Sequence, residues 1–192
     1  MDSGHSHARL ADHVDLLCGF AFPSAGFVSD QDAPRLLRGA NVGVGDIDWS
    51  DVRRWPAADS DRYAPYRLQA GDVVLAMDRP WIEAGLKTAV VQADDLPALL
   101  VQRVARIRGS STLDQRFLRV VVGTQEFTEY LVGTQTGTTI PHISARQIGD
   151  FTFRLPPIAD QRAIGAFVGV LDDKIELNRR LCLTLEELAE SV

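Results

Sequence analysis

From Ile164 onward, apolar residues recur in alternating steps of four and three: Ile164, Val168, Leu171, Ile175, Asn178, Cys182, Leu185, Ala189 and Val192. This is the a/d spacing of a coiled coil, sustained for about four heptads. Phe167, Leu181 and Leu188 lie beside the stripe and widen it. The pattern predicts one helix over 159–190, about 48 Å long at about 1.5 Å per residue. Such a helix is too long for one small domain to cover, so the stripe calls for a second helix. Its polar member, Asn178, would cost stability while fixing register. The competing reading is a helix folded back on its own domain, with the stripe covered there.

Upstream the rhythm changes. Leu10 to Phe27 reads as a short helix-like start running into the aromatic, Gly/Pro-rich loop CGFAFPSAGF. RLLRGANVGVGDIDW (35–49) reads as a strand and then a turn at Gly43 and Gly45. AGDVVLAM (70–77) is a Gly-Asp turn feeding a buried strand, with LKTAVVQ (86–92) as its neighbour. LLVQRVARIR (99–108) alternates on a period of two, placing Leu99, Val101, Ala105 and Ile107 on one face with Arg103. Residues 113–132 predict helical turns interrupted at Gly123, and 137–157 predict a loop, a short helix opened by Ser144 and a last strand. Without a regular βαβ rhythm, the fold class is α+β with a mixed sheet. The chain divides at Pro156-Pro157 into a globular domain (1–156) and a long coiled-coil helix (157–192).

Composition narrows the function classes. The 192 residues suffice for one sizeable domain plus an appendage. No apolar run approaches the roughly 18 residues that span a bilayer, so no membrane role is expected. The polar opening MDSGHSHARL lacks a signal core, and Cys18 and Cys182 fit neither a disulfide nor a metal spacing. A cytoplasmic location is the expectation. Net charge is −6, which disfavours strong free-standing binding to nucleic acid. Residues 100–119 run against that trend, with Arg103, Arg106, Arg108, Arg116 and Arg119 opposing only Asp114.

Catalytic motifs are not found. Gly39, Gly43 and Gly45 do not form a dinucleotide fingerprint, and no GxxxxGK[ST] loop occurs. His5, His7, His13 and His142 lack the company a metal site needs. No Gly-x-Ser-x-Gly elbow surrounds Ser144, and Asp172 and Asp173 point to different azimuths of a helix. No acidic cluster ends in Glu-x-Lys, and Leu155-Pro156-Pro157 is not the Asn-Pro-Pro-aromatic motif of amino-methyltransferases. Neither a metal nor a cofactor is expected in this chain.

The segment LPPIADQRAI…LDDKIELNRR resembles the conserved helical region of specificity subunits from Type I restriction–modification systems, through Leu155-Pro156-Pro157, Gln161, Leu171-Asp172, Ile175 and Asn178. The resemblance continues upstream through GFAF (19–22), RGANV (38–42), GDVVLA (71–76) and GTTIPHIS (137–144), in the family's usual order. It implies a non-catalytic, phage-defence DNA reader whose partner methyltransferase subunits modify adenine with S-adenosylmethionine and which a motor-nuclease subunit can join. Family members usually carry two recognition domains and two conserved helices; this sequence has one of each. That implies two copies paired through antiparallel helices as a homodimer, reading a palindromic, interrupted target. A different class stays open: a non-catalytic regulator or decoy that pairs with a full-length specificity subunit.

On that reading, double-stranded DNA is met by two loops. One carries Arg79, Trp81 and Lys87; the other carries Thr138, Thr139, His142, Ser144 and Arg146. Loops beyond strand ends display polar groups on a rigid base. Arg103, Arg106 and Arg108 are candidate phosphate contacts. Trp81 suits core packing as well as base contact, His142 suits a structural role, and Arg103 could pair internally.

Overall fold

The computed structural model describes residues 6–137 and 141–190. Strand β1 (Ser6–Arg9) leads through a single 3-10 turn to β2 (Val14–Cys18), and β3 (Arg35–Leu37) follows a long aromatic loop. Next come β4 (Val73–Ala76), the short pair β5 (Trp81–Ile82) and β6 (Gly85–Leu86), β7 (Thr88–Val90), β8 (Ala98–Leu100) and β9 (Val104–Gly109). Helices α1 (Gln115–Val122), α2 (Gln125–Thr134) and α3 (Ala145–Gly149), strand β10 (Thr152–Leu155) and helix α4 (Ile158–Glu190) complete the order.

The fold is α+β. Its main sheet is antiparallel, in the order β2-β9-β4-β7. Parallel pairing does occur, but in a separate two-stranded ladder of β3 and β8. Alternation along β4 sets the two faces of the main sheet. Val73 and Leu75, with Ala105 and Ile107, meet Phe117, Leu118 and Val121 of α1 and Phe127 and Leu131 of α2. Val74 and Ala76, with Val104, pack instead against Leu37, Ala89, Val91 and Leu100. A third core gathers Phe22, Trp55 and Tyr63 with the partly buried Phe20 and Phe27, so the aromatic loop is an organised cluster.

Two expectations need correction. The stretch after Leu10 is not a helical start: only Leu10–Asp12 turns, and Val14–Cys18 pairs with β9 residue by residue. Nor is 99–108 one strand. The chain turns at Gln102–Arg103, where Arg103 has φ of 68°, and β8 and β9 join different ladders. Leu99 and Val101 belong to the aromatic core, Ala105 and Ile107 to the helix-packed one. Period-two alternation resumes in phase after the turn and so conceals it.

Helix α4 is anchored at its base. Gln161 is buried, and Gly165 lies so close to α1 that an added Cβ would sit 2.7 Å from Arg116 Cβ and 2.9 Å from Phe117 N. Beyond that joint the stripe is open: Ile164, Leu171, Ile175, Asn178, Cys182, Leu185 and Ala189 are exposed, and Val168 is half-buried. The helix does not cover its stripe on its own domain. Val192 lies outside the described residues.

Candidate nucleic-acid interface

The Gln102–Arg103 turn is the point onto which distant loops are laced. Phe20 accepts the Gln102 N–H (2.8 Å), and a Cβ on Gly19 would fall 2.2 Å from the Val101 carbonyl, so glycine is required where GFAF crosses β8. Leu37 accepts the Val101 N–H (3.1 Å), bringing in the strand before RGANV. The Arg103 carbonyl takes the Met77 N–H at 2.8 Å, and Met77 in turn accepts from Ile143 at 2.9 Å. Arg79 N–H donates to Pro141 at 2.8 Å. Segments far apart in sequence thus converge beyond the C-terminal end of β4.

Cations and an aromatic side chain crowd this end. Arg79 is exposed, with φ of 45°. Arg103, 60% exposed, reaches Asp78 at 3.7 Å. Lys87 is half-buried and donates from Nζ to the Gly39 carbonyl at 2.6 Å. Burial first, and then the positive charge of Arg79, push the Lys87 pKa below its ordinary value. Trp81 is 45% exposed and Ile82 42%, so the β5–β6 ribbon projects apolar surface, and Trp81 is not a core residue. A two-stranded ribbon is an element that a DNA major groove admits.

The second loop is partly structural. His142 exchanges both backbone hydrogen bonds with Thr136, and its Nε2 lies 3.0 Å from Thr136 Oγ1. Ser144 caps α3 in a reciprocal box with Gln147, which engages its hydroxyl locally. Arg146 is 87% exposed, with Asp150 at 3.4 Å. Thr138 and Thr139 lie outside the described residues.

The arginines of β9 separate. Arg106 faces the sheet side that carries Val74, is 4% exposed and pairs with Asp15. Burial and the neighbouring Arg108 push its pKa down, with Asp15 opposing. It is withdrawn as a phosphate contact, because its guanidinium is already enclosed. Arg108 clasps the buried Asp72 by donating from Nε and Nη2 to its two carboxylate oxygens, at 2.8 Å from Nη2. That hydrogen-bonded clasp raises the Arg108 pKa. The sequence reading missed Asp78, the partner of Arg103, and Ile82. The adjacent bulky pair in PWIEAG, between a proline and a glycine, was the available signal for the ribbon. Among the described residues no cluster of His, Cys, Asp or Glu could hold a metal, and no helix is long and apolar enough to cross a membrane.

The chain is 33% identical over 183 residues to the Type I restriction enzyme EcoAI specificity subunit of Escherichia coli, covering 94% of this chain and 30% of that protein. It is 31% identical over 173 residues to the MjaVIII specificity subunit of Methanocaldococcus jannaschii, covering 90% and 40%. Over nearly its whole length the chain is similar to specificity subunits of Type I restriction enzymes. No family profile matches. In fold, the chain is similar to the HsdS subunit of Thermoanaerobacter tengcongensis (TM-score 0.62, 18% identity, covering 94% of this chain and 40% of that one). It is also similar to the S subunit from M. genitalium (TM-score 0.60, 14% identity, covering 91% and 41%). The chain spans less than half the length of these relatives.

Proposed function

We propose that this chain is one recognition half of a Type I restriction–modification complex: residues 1–156 read DNA and 157–192 bind partners. It performs no chemistry itself and directs methyltransferase subunits, which use S-adenosylmethionine, to adenine in its target. A motor-nuclease subunit can join the same assembly. The carrying observation is α4, locked to its domain at Gln161 and Gly165 yet exposed at Ile164 and along the stripe from Leu171 to Ala189. Two such rods paired antiparallel would present two readers to a palindromic, interrupted site.

A second exposed row, Phe167, Val170, Leu177, Leu181 and Leu188, runs beside the first. One helix with two apolar rows suits two kinds of neighbour, a second copy and a methyltransferase subunit. For DNA, Arg79, Trp81 and Arg103 at the laced end, with Lys87 behind them, form the base-reading and phosphate-contacting group, and exposed Arg146 adds to it.

The test is site-selective against non-specific DNA binding by the assembled complex with Arg79→Ala and Arg146→Ala. Loss of a base contact costs about 1–3 kcal/mol of discrimination, whereas loss of a phosphate contact weakens all sequences alike. Unchanged binding in both variants would remove these loops from the interface. Pairing with a full-length specificity subunit, without selective DNA binding, would favour the decoy.

A further inference from the structure

The β5–β6 ribbon carries an apolar patch whose chemistry matches one feature of duplex DNA. We infer that Ile82 and Val44, beside Trp81, form a reader of thymine C5-methyl groups in the major groove. The inference rests on the DNA-reading role proposed above and adds to it two specificity-determining residues and the group they recognise.

The first observation is where apolar surface remains in the open. Among the described residues before Pro156, the large apolar side chains left exposed are Val44 (38%), Trp81 (45%) and Ile82 (42%). Scattered single ones would be ordinary, but these gather at one ribbon. Directly opposed residues share a face, so Ile82 lies with Gly85 and Trp81 with the buried Leu86. Val44 closes on the Ile82 side: a Cβ added to Gly85 would lie 3.2 Å from Val44 Cγ1.

The patch is also set in place before anything binds. Lys87 donates from Nζ to the Gly39 carbonyl at 2.6 Å, and the Gly45 N–H donates to the Thr88 carbonyl at 2.8 Å. These two bonds hold the loop on either side of Val44 against the strand that follows the ribbon. The Lys87 N–H donates to the Pro80 carbonyl at 2.7 Å and closes the ribbon's base. A surface ordered in advance loses little side-chain and loop freedom on binding.

The surrounding charge selects the occupant. Arg79 and Arg103 stand exposed at the base of the ribbon. An apolar centre with cations beside it suits a major groove, with base edges on its floor and phosphates along its rims. Of the four bases, thymine is the one that offers an apolar group there, its C5-methyl. Glu83 occupies the ribbon's turn and is exposed. Phosphate repels a carboxylate, whereas at a base edge it can accept from cytosine N4, so the turn enters toward the groove floor.

Uracil in place of thymine tests this reading, because it keeps the pairing edge and lacks the methyl group. The assembled methyltransferase complex is titrated with duplexes carrying its site, located by mapping methylated adenines, with each thymine in turn exchanged for deoxyuridine. At one or more thymines of each half-site the exchange should weaken binding about three- to tenfold, the scale of one buried methyl group. With Ile82→Ala and Val44→Ala together, the same exchange should change binding less than about twofold. Both side chains are exposed, and the exchange in the parent protein needs no variant at all.

Binding by the parent complex that is indifferent to every exchange overturns the inference. A loss that persists in full in the double variant does so too, since the methyl group is then read elsewhere. A double variant that reads DNA like the parent but no longer assembles with methyltransferase assigns the patch to a protein contact and likewise overturns it. A parent complex without site-selective binding overturns instead the DNA-reading role on which the inference rests.

Discussion

Gln161 Oε1 accepts the backbone N–H of Asp114 at 2.9 Å, joining the first turn of α4 to the cap of α1. The same amide donates through Nε2 to the carbonyls of Thr112 (3.1 Å) and Pro156 (2.9 Å). With 1% exposure the side chain is a buried polar staple, and its orientation follows from having one N–H and two carbonyls to satisfy. Asp114 holds the α1 cap on the other side, accepting from Arg116 and Phe117.

Replacing this staple with an apolar residue of similar length strands one donor and two acceptors. Gln161→Leu should lower unfolding free energy by roughly 1–3 kcal/mol in urea titration, the scale for an unpaired buried polar group. Gln161→Glu should also destabilise, because a carboxylate can accept from Asp114 but cannot donate to Thr112 or Pro156. Stability equal to the parent in both variants would mean that the joint does not depend on this amide.

Gly19 makes a second, purely steric prediction. A methyl group there would fall 2.2 Å from the Val101 carbonyl oxygen and 2.7 Å from that of Leu100. Both are backbone atoms of the β8 end and cannot move independently. Gly19→Ala should therefore cost about 1–3 kcal/mol or more in thermal or urea unfolding. A neutral result would show that the aromatic loop can lift from the sheet.

Titration of Asp150 gives a pH dependence. The hydrogen bond from Arg9 holds this carboxyl below its ordinary value of 3.8, with the charges of Arg9 and Arg146 adding to the effect. Because the folded-state pKa is the lower one, the stabilisation is complete above 3.8 and fades as pH falls through the folded value. The stability difference between parent and Asp150→Asn, from denaturant curves across the acid range, should stay level above pH 3.8 and shrink below it. A difference that grows on acidification contradicts the pairing.

For the rod, Leu171→Asp with Ile175→Asp should turn a sedimenting dimer into a monomer without changing the helical signal of the folded domain. Both side chains are about half exposed in the single chain, at 46% and 50%, so the charges burden only the pair. A dimer that persists must use another surface.

Local signals carried much of the architecture. Gly123 closes α1 and Thr124 caps α2, as the interruption in 113–132 predicts. Ser144 opens α3, and Asp72 ends the turn into β4. The tail was read almost to the residue, since its helix begins at Ile158. What escaped the sequence depends on contacts made across the chain. The strand at Val14–Cys18 exists because β9 pairs with it, and the turn at Arg103 exists because Phe20 and Met77 take its backbone groups. The cation group suffered for the same reason. Arg103, Arg106 and Arg108 look alike on paper, yet one is 60% exposed, one is enclosed beside Asp15 and one is clasped by Asp72.

The close seating of Gly165 on α1 couples rotation to length. Each residue inserted into α4 beyond the joint would lengthen the rod by about 1.5 Å and swing everything after it by about 100°. Spacer changes that preserve the relative facing of two heads would then come in whole heptads, each adding roughly 10 Å, about three base-pair steps of duplex. Such a molecule would measure its target in discrete notches.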